Sequence, residues 1–150
     1  ISGNNALVGN SSNKTEYFYH RGDEGLWKEI KNFTATTPSK FGSCIFKNYA
    51  ITGDLTNDEV YFYERDNSGT WLEKKKIPIG TELMGDSGYI YQNYASSSSA
   101  TQTFLYLKNN EGDWKLEHTF PSGQRSSIYN NYIIIGNSTA ATIHIYERKS

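Results

Sequence analysis

The side chains best able to do chemistry, the histidines and the acidic residues, are scattered along this chain. His20, His118 and His144 lack the i, i+4 spacing of a metal-binding pair and have no companion carboxylates at a repeated site. Acidic pairs such as Asp23 with Glu24 lie in turn-like segments, and neither Gly-x-Ser-x-Gly nor a phosphate-cradling glycine loop occurs. We therefore predict no catalytic residue, no metal site and no cofactor, with a hydrolase assembled from distant single residues as an alternative.

Four asparagines lie in N-x-S/T sequons, the acceptor sequence for N-linked glycans: Asn10, Asn13, Asn32 and Asn137. We expect all four in connections between strands, with Asn10 and Asn137 at equivalent places and Asn32 near the end of a strand. Exposed connections can accommodate a glycan, which predicts an extracellular or cell-surface location. Chance is the alternative, because a chain rich in Asn, Ser and Thr generates sequons.

Arg21, Gly22 and Asp23 form the tripeptide that integrins recognise, and the surrounding residues predict a hairpin tip. The equivalent segments further along the chain begin Arg65-Asp66-Asn67 and Lys108-Asn109-Asn110. The tripeptide therefore has two interpretations, a recognition motif or one variant of a recurring polar turn.

Composition excludes several classes of protein. The 150 residues carry a net charge of −1, so no global field attracts nucleic acid, and no apolar run reaches the length of a membrane span. We expect neither nucleic acid as a partner nor membrane insertion. The local run Lys74, Lys75 and Lys76 is typical of a strand protected from edge-to-edge pairing, and we expect the single cysteine, Cys44, to be a buried small apolar residue.

The elements that must position these residues recur about every 40 to 45 positions, a spacing typical of propeller blades. An Asn-containing strand marker begins at Asn4, Lys47, Gln92 and Asn130, and in three copies a tyrosine follows the asparagine: Tyr49, Tyr94 and Tyr132. A repeated binding site and a repeated packing contact both explain these tyrosines.

A second marker follows each first one, an aromatic strand centred on Tyr19, Tyr63, Tyr106 and Tyr146. Three of these strands run into a polar turn with glycine two positions before a tryptophan, at Trp27, Trp71 and Trp114. A short polar segment that ends with a glycine predicts a hairpin turn, because glycine can adopt a positive φ without steric cost. We expect the three tryptophans to pack between neighbouring repeats, because burial of an indole contributes a few kcal/mol.

With the short strand that precedes each first marker, one repeat consists of four antiparallel strands joined by tight turns, the unit from which propellers are built. The sequence therefore predicts an all-β chain forming a single propeller segment, with approximate repeats 1–40, 41–85, 86–124 and 125–150. Two of these blades are full and two are partial.

The order of these elements resembles the FG-GAP repeats of the integrin α-chain head and of many surface proteins. Phe41-Gly42-Ser43 matches that family's Phe-Gly opening, and residues 60–71 match its third strand and turn. The resemblance implies a non-enzymatic module of adhesion, assembly or structural scaffolding at the cell surface, with protein partners. A lectin binding glycans between blades is the alternative.

This sequence departs from the family in its calcium loop, since only two residues such as Lys47-Asn48 connect the first two strands. No alternating run of oxygen ligands is present, so we do not expect calcium at these places. Fourteen strands do not complete a ring, and we expect the remaining blades of a larger propeller, or other copies, to complete it.

Overall fold

The computed structural model describes residues 1–10, 12–34, 42–54, 56–80, 88–99, 101–121 and 123–148, which form fourteen β-strands. The strands are β1 (Asn5–Asn10), β2 (Thr15–Arg21), β3 (Trp27–Thr34), β4 (Ser43–Phe46), β5 (Tyr49–Asp54), β6 (Glu59–Arg65), β7 (Trp71–Pro78), β8 (Tyr89–Tyr91), β9 (Tyr94–Ser98), β10 (Thr103–Lys108), β11 (Trp114–Phe120), β12 (Arg125–Tyr129), β13 (Tyr132–Asn137) and β14 (Thr142–Glu147). Within those ranges no helix has the length and apolarity that a membrane span requires.

The strands form four antiparallel sheets in which each strand pairs with its neighbour in sequence. Blade 1 is β1–β3, blade 2 is β4–β7, blade 3 is β8–β11 and blade 4 is β12–β14. The prediction of two full and two partial four-stranded meanders is confirmed. Each sheet falls within one of the four repeat ranges. Phe41, which supports the family resemblance, lies outside the described residues.

The hairpin before each tryptophan has the same backbone in blades 1, 2 and 3. Gly25, Gly69 and Gly112 have φ values of 78°, 88° and 87°, which side chains with a Cβ rarely adopt. A register shift recurs beyond each hairpin, as between Phe62 and Tyr63 in blade 2. The turn chemistry read from the sequence therefore determines the same local geometry three times.

Most of the hydrophobic core lies between blades. Trp71 of blade 2 contacts Phe18 of blade 1, with ring centroids 4.7 Å apart, and Trp114 of blade 3 stacks on Phe62 of blade 2 at the same distance. Both indoles are fully buried, as predicted. The prediction is wrong for Trp27, which is 41% exposed because the described residues include no blade before blade 1 for it to contact.

Cys44 is only half-buried, a correction to the expectation of a buried residue, because it lines an open pocket of about 330 Å³ together with Leu7 and Tyr89. Its partial burial raises the pKa of the thiol. The lysine run lies on β7, the last strand of blade 2, as expected of a protected edge. Two of its members also form ion pairs, Lys75 with Asp113 of blade 3 and Lys76 with Glu59.

Candidate binding cleft between blades 3 and 4

A cleft of about 320 Å³ opens between blades 3 and 4. Its apolar lining comes from both sheets and includes Leu105, Phe120, Ile133 and Tyr146. Polar side chains also line it, among them Glu117, His118, Asn131 and Arg148. An apolar floor with a few polar groups at its rim is typical of a binding site.

The cleft lies where the other two junctions hold a tryptophan. Trp114 stacks on Phe62 in blade 2, and the residue of blade 3 equivalent to Phe62 is Leu105, since both lie immediately before the repeated register shift. Blade 4 has no fourth strand among the described residues, so none of them places an indole over Leu105. Sequence reasoning did not identify this cleft, since the residues that line it come from two blades and share no motif of their own.

The three repeated tyrosines occupy the first position of β5, β9 and β13, and the structure does not bring all of them together. Tyr49 lies beneath Lys108 of blade 3, with the ammonium 4.0 Å from the ring centroid, and meets the edge of Trp114 at 6.4 Å. Tyr94 is covered in the same way by Arg148 of blade 4, whose guanidinium lies 5.5 Å from the ring centroid and donates a hydrogen bond to the tyrosine hydroxyl. In both cases a cation from the next blade covers the ring.

Tyr132 differs, since no described residue follows blade 4 to cover its ring and it is 43% exposed. Its hydroxyl donates to Glu147 Oε1 at 2.9 Å, and the amide of Asn131 donates to the same oxygen at 3.1 Å. Hydrogen bonding to the Glu147 carboxylate raises the pKa of Tyr132. Tyr94 and Tyr132 both line the cleft, whereas Tyr49 lies in the closed junction between blades 2 and 3.

The histidines do not converge. His118 on β11 is exposed at the cleft with its ring 4.6 Å from that of Phe120, His20 shares a hydrogen bond with Asn5, and His144 on β14 stacks on Tyr146. The part of the chain that the structure describes contains no group of three or more His, Cys, Asp or Glu side chains that could hold a metal ion.

The sequon asparagines are all at the surface or partly so, but the prediction that they lie between strands is wrong for three of them. Asn32 lies inside β3, and Asn10 and Asn137 are the last residues of β1 and β13, because hydrogen-bonded pairing continues to the turn; Asn13 lies in the turn itself. The side chains of Asn10 and Asn137 each accept two backbone N–H groups of the following turn. The side chain of Asp54 accepts two backbone N–H groups in the same way in blade 2. The formation of these turns is therefore sufficient to explain an asparagine at positions 10 and 137, without glycosylation.

Arg21, Gly22 and Asp23 lie at the end of β2 and in the hairpin that follows, and all three are exposed. Arg21 donates from Nε to the carbonyl of Gly25 at 3.1 Å, and Arg65 makes the same bond to Gly69 at 3.0 Å. This shared bond closes the hairpin in both blades and explains the arginine without a recognition role.

The junction between blades 1 and 2 contains a buried acid, Glu16, which is 1% exposed. Burial raises the pKa of its carboxyl to about 8, against a smaller lowering by the Ser43 side chain. Neither carboxyl oxygen has a partner of good hydrogen-bond geometry among the described residues. We therefore expect the stability of this junction to depend on pH.

No protein-family model and no curated protein matches this chain. Solved structures do. A functionally unknown protein from Desulfotomaculum acetoxidans matches with a TM-score of 0.71 and 10% identity, over 96% of this chain and 51% of that one. Hsv2 of Kluyveromyces lactis matches at 0.64 and 11%, over 98% and 43%, and Sqt1 of Saccharomyces cerevisiae at 0.61 and 12%, over 95% and 45%.

Hsv2 and Sqt1 are β-propellers, so the predicted fold class is confirmed. At these identities the likeness shows the fold alone. This chain spans about half the length of the propellers it matches.

Proposed function

We propose that this chain is a non-enzymatic propeller module of the extracellular space or cell surface that acts in adhesion, assembly or structural scaffolding. The observation that carries the proposal is the cleft between blades 3 and 4, which offers apolar surface and polar groups to a partner at the place where the other two junctions hold a buried tryptophan. The exposed sequon positions Asn10, Asn13 and Asn32 support the location.

The location is tested by the intact mass of the native protein before and after enzymatic removal of N-glycans, together with surface labelling of intact cells. We expect a loss of mass and surface labelling. The matched variant is Asn10→Asp, which removes the acceptor while keeping the turn, since Asp54 holds the equivalent turn in blade 2. An unglycosylated native protein confined to the cell interior contradicts the proposal.

A lectin is the second candidate, supported by the pairing of Tyr94 and Tyr132 with Asn130 and Asn131 around the cleft. Aromatic faces and amide groups together are suited to sugar rings. A glycan array tests this with Tyr94→Ala and Tyr132→Ala, which should abolish binding. The control is Tyr49→Ala, because Tyr49 lies beneath Lys108 and outside the cleft. If the unmodified chain binds no glycan on the array, the lectin hypothesis is wrong.

A further inference from the structure

Three aromatic side chains from successive blades form a row where the first strands of their sheets end. They are the last residues of β4, β8 and β12: Phe46, Tyr91 and Tyr129. The ring centroids of Phe46 and Tyr91 are 4.8 Å apart, and those of Tyr91 and Tyr129 are 5.3 Å apart. We call these three side chains the aromatic row.

The row is accessible even where a neighbouring blade lies on each side of it. Strand β4 lies between β1 and β8, and β8 lies between β4 and β12. Phe46 and Tyr91 are nevertheless partly exposed, whereas the aromatic side chains Phe18 and Phe62 of the blade junctions are fully buried. The exposure of the row therefore belongs to the repeated strand position.

The shape of the row is a ridge with a groove on each side. Neighbouring rings are tilted by 45° between Phe46 and Tyr91 and by 47° between Tyr91 and Tyr129. The hydroxyl of Tyr91, the ridge, donates to Asn130 Oδ1 at 3.3 Å and accepts from the side-chain amide of Gln92 at 3.4 Å. Tilted rings provide wedge-shaped grooves for small rigid rings instead of the flat platform on which a sugar stacks.

The polar groups beside the row favour a partner that offers hydrogen-bond acceptors. Lys47, Gln92 and Asn130 follow the three aromatic residues directly, are exposed and have the same positive φ of 52–54°. None of them is acidic, and the ammonium of Lys47 lies 5.4 Å from the ring centroid of Phe46. A proline-rich segment offers this chemistry, because proline has no N–H and the carbonyls of a polyproline II helix have no internal partner.

The length of the row also fits that helix. A polyproline II helix has three residues per turn and rises about 3.1 Å per residue, so prolines three positions apart lie about 9 Å apart on the same side. The two centroid distances place Phe46 and Tyr129 at most about 10 Å apart. One turn of the helix therefore spans the row, with Tyr91 between its two prolines.

We propose that the aromatic row binds a proline-rich segment of a partner protein in the polyproline II conformation. Prolines three positions apart pack on either side of Tyr91, and the carbonyls of the segment accept hydrogen bonds from Lys47 and Gln92. This inference rests on the proposed function and names the class of its partner. The helix is largely formed before binding, so little conformational entropy is lost when it docks on an aromatic-lined groove.

The test uses the whole chain and fluorescently labelled decaproline, with a glycine-serine peptide of the same length as its matched control. We expect saturable binding of decaproline by fluorescence anisotropy and none of the control. Tyr91→Ala should weaken binding roughly tenfold or more, because it removes the ridge. Phe46→Tyr should retain binding, since blades 3 and 4 have tyrosine at this position, and Trp27→Ala removes an exposed indole elsewhere without effect.

A further variant changes a donor and leaves the rings in place. Lys47→Met should weaken decaproline binding by about twofold to tenfold, the effect of one hydrogen bond. The side chain of Lys47 is exposed, so the urea midpoint of this variant should equal that of the unmodified chain. A loss of affinity at unchanged stability cannot come from misfolding.

Equal binding of the two peptides, no binding of decaproline to the folded chain, or unchanged affinity of the Tyr91→Ala or Lys47→Met variant overturns the proposal. A glycan array identifies the other class of ligand. Glycan binding that is lost in Tyr91→Ala, without decaproline binding, assigns the row to sugars and also overturns it. The glycan-mass and surface-labelling experiment does not involve the peptide, so failure here is distinguishable from failure of the proposed function.

Discussion

The junction between blades 2 and 3 and the junction between blades 3 and 4 are built from equivalent strands, yet one is closed and the other is open. At the closed junction Trp114 is 1% exposed and stacked on Phe62, with Lys108 covering Tyr49. At the open junction Leu105 and Tyr94 line a cleft, and of those contacts only the cation over the tyrosine is present. The comparison shows that the tryptophan of the fourth strand fills the space between blades 2 and 3, and that no described residue fills the equivalent space beside Leu105.

We expect the largest loss of stability when the buried tryptophan of the junction between blades 2 and 3 is removed. Trp114→Ala should lower the free energy of unfolding by about 3–5 kcal/mol, because it removes a large buried side chain and leaves a cavity. The matched variant Trp27→Ala should cost less than about 1 kcal/mol, since Trp27 is 41% exposed. Urea unfolding of both variants measures the difference, and equal losses would show that the closed junction does not depend on the indole.

The junction between blades 1 and 2 contains a buried acid, Glu16, for which the other two junctions have no acidic counterpart. The equivalent residues of blades 2 and 3 are Val60 and Thr103. The pKa of Glu16 in the folded chain, about 8, exceeds its ordinary value of 4.5, so between these pH values the folded state holds a proton that the unfolded state has lost. Stability should therefore fall as the pH rises from 4.5 to 8. Glu16→Gln should abolish this dependence and stabilise the chain above pH 8 by a few kcal/mol.

Thermal unfolding at pH 5 and pH 8.5 measures this effect. Glu24→Gln is the control, because Glu24 is an exposed glutamate of the neighbouring hairpin. If the stability of the Glu16→Gln variant varied with pH as much as that of the unmodified chain, Glu16 would not be the group responsible.

We expect a smaller loss of stability when either cation that covers a tyrosine is removed, Lys108 over Tyr49 or Arg148 over Tyr94. Lys108 is 9% exposed at its side chain and also pairs with Glu64 at 3.2 Å, so Lys108→Met should cost about 1–2 kcal/mol. Arg148 is exposed, and Arg148→Met should cost less than about 1 kcal/mol. Chemical denaturation of the two variants measures this difference. The reverse order would mean that burial does not distinguish the two contacts.

The smallest expected effect is a partial closing of the open junction. Leu105→Phe places in blade 3 the residue type that blade 2 has at Phe62, and the larger side chain should fill part of the cleft. We expect stabilisation of up to about 1 kcal/mol, measured by the shift of the urea midpoint. Loss of stability would indicate that the cleft floor is packed too tightly around Leu105 to accept an aromatic ring.

Much of the fold could be predicted from the sequence because its signals are local and repeated. Each glycine two positions before a tryptophan produces the same positive φ and the same hairpin, and the Asn-Tyr markers begin the second strand of three blades. The candidate site could not be predicted in this way. Leu105 and Arg148 lie in copies of the same aromatic-strand marker as the residues of the closed junction, so the local pattern does not distinguish the two junctions. They line the cleft together only because blades 3 and 4 pack against each other.

The corrections at Asn32 and Trp27 have different physical causes. Asn32 lies near the end of β3, as expected, but within the strand rather than in a connection, because pairing of β2 with β3 continues to Thr34. Trp27 has the same turn and strand as Trp71, yet differs from it in burial because burial depends on the neighbouring blade.

By itself the sequence determined the strands, the turns and their fourfold repetition, since φ preferences, side-chain alternation and turn hydrogen bonds act between residues close in the chain. Only the tertiary structure decided which tryptophans are buried, which tyrosines are covered by a cation and where a cleft remains. These outcomes depend on contacts between blades whose residues lie about forty positions apart, and identical local patterns acquire different surroundings there.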